Sequence, residues 1–179
     1  MGLIDRYYPA DTPLGRIYRS HCGKVADLAV RIARGLGLPL DEEQVRAAAM
    51  LHDIGIFMCD APSIECHGTE PYICHGYLGA DILRREGVAE ELARVAERHT
   101  GTGLTPAEIA AENLPLPSDR SYMPETLLEK LVCYADKFYS KSGAGNLKPV
   151  EKVRAQMARF GAGPAGRFAV LENLFTPYP

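Results

Sequence analysis

The sequence predicts an all-α fold, and three observations carry that expectation. Apolar residues recur at helical spacing through most of the chain. Capping signals such as Thr12-Pro13, Asp41 and Thr105-Pro106 stand where the periodic runs begin. Neither an alternating strand pattern of useful length nor an internal repeat or low-complexity segment is present. At 179 residues, with 46% hydrophobic and 24% charged content, the chain reads as one domain, 1–179, large enough for a core without staples.

The first long helix starts at Thr12-Pro13 and carries Leu14, Ile17, Tyr18, Val25, Leu28, Ile32 and Leu36 on one face; Gly35, Gly37 and Pro39 end it. Asp41 caps a second helix, with Gln44 three residues on, and Val45, Ala48, Ala49 and Leu51 lead to His52-Asp53 before a stop at Gly55. Residues 57–72 hold Pro, Gly, Cys and isolated charges without a period, a long loop of the kind that often carries function. Two helices follow, about His75 to Glu86 and Ala89 to His99, the latter halted by Thr100-Gly101-Thr102-Gly103.

A short helix from Thr105 to about Asn113 gives way to a proline-rich loop, and Pro124-Glu125 open a helix whose stripe is Leu127, Leu128, Leu131, Val132, Ala135 and Phe138. Two C-terminal helices, about Pro149 to Phe160 and Pro164 to Phe175, complete the pattern.

Four of the five histidines fall at helix ends or on inner faces. His21 lies four residues from both Ile17 and Val25, hence on an apolar stripe; His52 adjoins Asp53; His75 opens a helix; His99 closes one. Asp136 sits within the stripe of its helix, where an acid is costly unless paired or metal-bound. Imidazole and carboxylate are what a catalytic divalent metal takes. His67, in the Pro-Gly-Cys loop, stands outside this pattern and reads as exposed, with a lesser role as a substrate or proton-transfer group if it reaches the pocket.

A formal charge of −3 gives no overall basic field, so long nucleic acid is not an expected partner, whereas a small phosphorylated ligand is. No run of about 18–20 apolar residues suggests a membrane span, and Asp5 and Arg6 interrupt any leader-like start, so a cytoplasmic protein without membrane partner is expected. The odd number of cysteines, five, suits reduced thiols. Cys59, Cys66 and Cys74 lack the short paired spacing of structural zinc sites.

The set His21 in His-Cys-Gly-Lys-Val-Ala, His52-Asp53 in Met-Leu-His-Asp-Ile-Gly, and Asp136 in Tyr-Ala-Asp-Lys resembles the HD-domain superfamily of metal-dependent phosphohydrolases. The intervening His75 and His99 resemble its two-metal branch, and the wording from Cys74-His75 through Glu97-Arg98-His99-Thr100-Gly101 to Ala135-Asp136-Lys137 is similar to small bacterial and archaeal HD proteins of unassigned substrate. The resemblance covers about 14–140, with the helices over about 149–175 as a C-terminal extension of the helical bundle.

The resemblance implies a binuclear centre in which Asp53 bridges two ions, His21, His52 and Asp136 completing one and His75 and His99 the other, with a bridging hydroxide as nucleophile. Iron or manganese leads, with cobalt, zinc, nickel or magnesium behind. The implied reaction is hydrolysis of a small phosphomonoester, nucleotide or dinucleotide; the alternatives are a mixed-valence di-iron oxygenase of the same superfamily and a non-catalytic regulatory module. Candidates for catalysis and substrate binding beside Asp53 are Lys24 first, then Arg98, with Thr100 and Lys137 as further substrate contacts. Ile56 stands where the superfamily's cyclic-dinucleotide phosphodiesterases carry a lysine, which counts against that substrate. The pocket walls are expected from the loops 57–74 and 101–123, and an apolar tail helix suits a homodimer.

Overall fold

The computed structural model describes residues 2–142 and 145–177. Among these, nine α-helices carry the fold: α1 (Leu3–Tyr7), α2 (Pro13–Gly35), α3 (Glu42–Leu51), α4 (His75–Arg85), α5 (Glu90–Arg98), α6 (Pro106–Ala111), α7 (Leu127–Asp136), α8 (Val150–Ala158) and α9 (Ala162–Phe175). The only sheet among the described residues is a two-stranded antiparallel ribbon, β1 (Asp60–Ala61) with β2 (Cys66–His67), pairing Asp60 with His67 and Ala61 with Cys66. The fold is all-α, as its periodicity requires.

Local chemistry sets the ends of these helices. Thr12, Asp41, Thr105 and Thr126 each accept a backbone N–H three residues on, and Thr105 and Thr126 form reciprocal boxes with Glu108 and Glu129. The Thr126 box moves the start of α7 past the expected Pro124-Glu125 to Leu127. Helix α3 stops at Leu51, so His52-Asp53 lie in the turn that leaves it. Gly55 has φ −88°, not the left-handed value of a helix stop. Its role is steric: a Cβ there would lie 2.3 Å from the His75 carbonyl oxygen and 2.5 Å from the Gly79 nitrogen, so its absence lets the turn and α4 touch backbone to backbone.

Two apolar clusters make the core. Val25, Leu28 and Ile32 of α2 pack with Val45 of α3, Leu131, Tyr134 and Phe138 around α7, and Phe168 and Phe175 of α9. Tyr134 anchors the C-terminal helices, its ring 5.7 Å from Phe168 and 5.2 Å from Phe175. Tyr8, Tyr18, Ile54, Ile56, Ile82 and Leu83 form the other cluster, which draws α1 onto α4 and the turn after α3. Helix α2 serves both, Cys22 facing one and Val25 the other, and His21 lies beside the changeover. Helix α1 was not expected from the sequence. No helix among the described residues is long and apolar enough to cross a membrane.

Candidate metal centre and active-site cleft

Six side chains meet along the seam between the two clusters: His21 from α2, His52 and Asp53 from the turn after α3, His75 from the first turn of α4, His99 from the end of α5 and Asp136 from the last turn of α7. All six are at most 9% exposed. Three overlapping groups, His21/His52/Asp53, His52/His99/Asp136 and Asp53/His75/His99, each offer donor atoms within 4.8 Å of one another. Asp53 is central. Its Oδ2 lies 3.3 Å from Nε2 of both His21 and His52, while Oδ1 lies 3.6 Å from Nε2 of His75 and 3.4 Å from that of His99. His21 Nε2 also approaches Asp136 Oδ1, at 3.0 Å.

The hydrogen bonds around the imidazoles fix what these atoms can do. His52, His75 and His99 each pair Nδ1 with the carbonyl three residues back, Ala49 at 2.6 Å, Tyr72 at 2.6 Å and Ala96 at 2.8 Å. A carbonyl only accepts, so Nδ1 carries a proton in each, and Nε2 of the neutral His75 and His99 rings is left with a bare lone pair. The Nε2 atoms of His75 and His99 then face each other at 3.0 Å. Two lone pairs at that distance repel unless a cation or a proton lies between them. His52 Nε2 and both Asp53 oxygens are buried without a well-aligned hydrogen bond. Divalent cations would satisfy these atoms, and the nitrogen-and-oxygen donor set fits them.

Titration follows the same logic. Burial and the neighbouring His99 push His75 down to about 3, and burial lowers His99. Burial also opposes a charge on His52, but the adjacent Asp53 carboxylate overrides it and holds that imidazole well above its ordinary value. Burial alone would raise both acids; instead His52 and Lys141 hold Asp53, and Lys137 and Lys141 hold Asp136, well below the carboxylate range. The centre is built around permanently ionised carboxylates.

A cleft of about 410 Å³ opens beside Asp136, lined by Ser63, Ile64, Tyr72, Lys137, Lys141, Lys148 and Met157 among others. The Tyr72 ring forms part of its floor, stacked on His75 at 4.6 Å.

A family model described as HD domain matches residues 18–140. The chain belongs to the HD-domain family. HD domains bind divalent metals and are usually hydrolytic. An uncharacterised protein of Methanocaldococcus jannaschii is 42% identical over 119 residues, 65% of this chain and 62% of that protein. A tRNA (cytidine(56)-2'-O)-methyltransferase of Picrophilus torridus is 37% identical over 82% of this chain and 41% of its own length. Ribonuclease Y of Cutibacterium acnes is 34% identical over 49% of this chain and 14% of its own length. The HD chain thus spans less than two thirds of each of these relatives. No solved structure matches it.

The other residues singled out in the sequence of this HD domain separate. Lys137 is in the cleft, its Nζ 2.8 Å from Asp136 Oδ2 and donating to the His99 carbonyl at 3.1 Å. Lys24 faces the back of the cluster, where Nζ donates to the Gly145 carbonyl at 3.0 Å. Arg98 points elsewhere, into an ion-pair network with Glu125 at 2.7 Å and Glu129 at 3.2 Å. Consecutive helical residues project about 100° apart, so the neighbour of an inward His99 turns away from it. Thr100 lines a separate, largely apolar cavity with Ile73, Leu104, Leu114 and Phe160. Gly103 N–H of the same turn bonds the Thr100 carbonyl, so it offers nothing to an anion. His67 is exposed on β2, 3.8 Å from Glu65.

All five cysteines are buried and free, and among the described residues no group able to hold a metal includes one. Of the two long loops, 57–74 supplies cleft wall through Ala61, Ser63, Ile64 and Tyr72, whereas no residue of 101–123 lines it. Residues after α7 do so instead. Sequence reasoning missed Lys141, whose Nζ lies 2.7 Å from Asp53 Oδ2. Its one signal was a lysine five places beyond Asp136.

Proposed function

We propose that this chain is a metal-dependent phosphohydrolase acting on a small phosphomonoester, nucleotide or dinucleotide. The observation that carries the reading is the convergence of the imidazole Nε2 atoms of His52, His75 and His99 and both Asp53 oxygens on one buried volume beside a lysine-lined cleft. In it, His21, His52, Asp53 and Asp136 would hold one ion, and Asp53, His75 and His99 would hold a second. Iron or manganese is the favoured metal. When bound, it supplies an activated water and Lewis acidity toward a phosphoryl oxygen.

The protein's own groups supply the rest. The Nδ1 bonds to Ala49, Tyr72 and Ala96 orient the imidazoles with Nε2 toward the shared volume before any metal arrives. Lys137 neutralises Asp136 and stands at the cleft, where it can meet an anionic substrate. Lys24, Arg98 and Thr100 take no part in this reading, because each is engaged elsewhere.

The test is turnover by manganese- or iron-loaded protein across phosphomonoesters, nucleotides and dinucleoside polyphosphates. The names of two relatives concern tRNA methylation and a ribonuclease, so short oligoribonucleotides belong on the same panel. Release of phosphate from at least one small class, lost on chelation, is the expected result. A loaded protein inert toward all of them overturns the reading.

A further inference from the structure

Lys141 is the most unusual cation in the molecule. Its side chain is 14% exposed, its Nζ lies 2.7 Å from Asp53 Oδ2, and it sits 5.9 Å from the centroid of the Tyr72 ring. It lines both the cleft and the small cavity behind His21. Ile56, where related phosphodiesterases carry a lysine, is fully buried in the core, so the ammonium reaches the His-Asp pair from the segment after α7 instead.

Charge counting gives Lys141 a second task. The centre has two carboxylates, Asp53 and Asp136, each with its own lysine, Lys141 at 2.7 Å and Lys137 at 2.8 Å. With both pairs made, the carboxylate charge is already cancelled. Adding even one divalent ion would leave an excess of positive charge in a buried place, even with a hydroxide bound, and a cation held on Asp53 Oδ2 would repel an ammonium bound to the same oxygen. Lys141 then needs another anion, and the cleft is the space beside it. Lys148 lines the same cleft and donates only to the carbonyls of Lys137, at 3.0 Å, and Tyr139, at 3.5 Å. No ion pair to Lys148 occurs among the described residues, so its ammonium has no anion in direct contact.

We propose that Lys141 and Lys148 form the phosphate-binding pair of the cleft, Lys141 passing from Asp53 to the substrate when metal binds, and that the site selects a dianionic terminal phosphate over a monoanionic diester. The proposal rests on the metal-dependent phosphohydrolase reading for its metal, and it deepens that reading by naming the substrate charge. A terminal phosphoryl group near neutral pH carries about −1.5 to −2, with a second pKa of about 6, whereas a diester carries a single charge.

The experiment is calorimetric titration of manganese-loaded protein with inorganic phosphate and with dimethyl phosphate at pH 8, with metal content measured in each sample. Wild type is expected to bind phosphate at least tenfold tighter than the diester. Lys141→Met should keep its metal and weaken phosphate binding at least tenfold; Lys148→Met should weaken it at least threefold; Lys141→Arg should recover most of the loss. Wild-type phosphate affinity in either methionine variant overturns the proposal, as does loss of metal from Lys141→Met, which would make the lysine a support of Asp53 alone. Should Lys141→Met fail to fold, Lys148→Met and Lys141→Arg still decide, because Lys148 leaves no carboxylate unpaired. Binding is read without turnover. An inert protein that holds phosphate through Lys141 would end the hydrolase reading only, and an active one indifferent to these lysines would end this proposal only.

Discussion

The phenolic hydroxyl of Tyr8 donates to the backbone carbonyl of Ile54 at 2.8 Å, with the Asp53 carbonyl a further acceptor at 3.4 Å. Its ring is stacked 3.7 Å from that of Tyr18, and the residue is wholly buried. The first residues of the chain therefore hold the main chain that presents the metal-facing aspartate. Tyr8→Phe keeps the stack and removes the donor, leaving a buried carbonyl unpaired, a loss of about 1–3 kcal/mol. Urea denaturation should show that loss, with weaker manganese affinity beside it; unchanged affinity would confine Tyr8 to stability.

The two faces of Asp53 predict different losses. His75→Ala removes a donor only from the Oδ1 side, and His21→Ala only from the Oδ2 side. Elemental analysis of the loaded proteins should find two ions in wild type and one in each variant. A wild type that holds one ion, insensitive to His75→Ala, would reduce the centre to the His21 side.

Gly55→Ala places a methyl 2.3 Å from the His75 carbonyl oxygen, a distance no packing tolerates. The turn and α4 must separate, at a cost of about 1–3 kcal/mol. Because the shift falls between Asp53 and His75, metal affinity should drop further than stability alone explains. Comparing melting temperature with metal retention separates the two effects.

Arg98 should matter to the fold and not to the metal. Its pairs with Glu125 and Glu129 are made by a side chain only 10% exposed, and Glu129 keeps a second partner in Arg94 at 3.0 Å. Arg98→Met should cost about 2 kcal/mol, less than the roughly 3–5 kcal/mol of an ion left wholly unpaired. Manganese affinity should stay at the wild-type value, and a tenfold fall in it would return Arg98 to the active site.

Burial raises the thiols of Cys59 to about 12 and of Cys66 and Cys133 to about 11. Native protein at pH 8 should therefore resist iodoacetamide at these positions, while urea-unfolded protein reacts at all five cysteines. The linkage has a definite sign. A thiol whose folded pKa exceeds its unfolded value of about 8.5 contributes stability that is complete below that pH and disappears as pH rises through 11 to 12. Unfolding curves should weaken above pH 9 and flatten near 12; equal stability at pH 8 and 11 would contradict this.

What the sequence made legible follows from helical geometry. His21 and Asp136 lie on apolar stripes that a 3.6-residue period defines, so periodicity turns both inward, and the resemblance to the HD pattern joins them with His75, which opens its helix. Lys141 escapes that logic, because it lies past the end of α7, where no period says which way a side chain points. Arg98 misleads for the opposite reason: adjacency to His99 along the chain is not adjacency in space. Helix α1, five residues long with no side-chain cap, leaves almost no pattern, and Tyr8 just beyond it draws its importance wholly from tertiary contacts.

His21 and Asp136 touch across 115 residues of chain. The donor set is therefore complete only after the ribosome has delivered most of the sequence and α2 and α7 have met. A nascent or truncated chain can present scattered imidazoles but not the full cage. The ion that fills the cage is then chosen from whatever pool the finished protein encounters, so which metal it carries depends on where and when folding ends as much as on the ligands themselves.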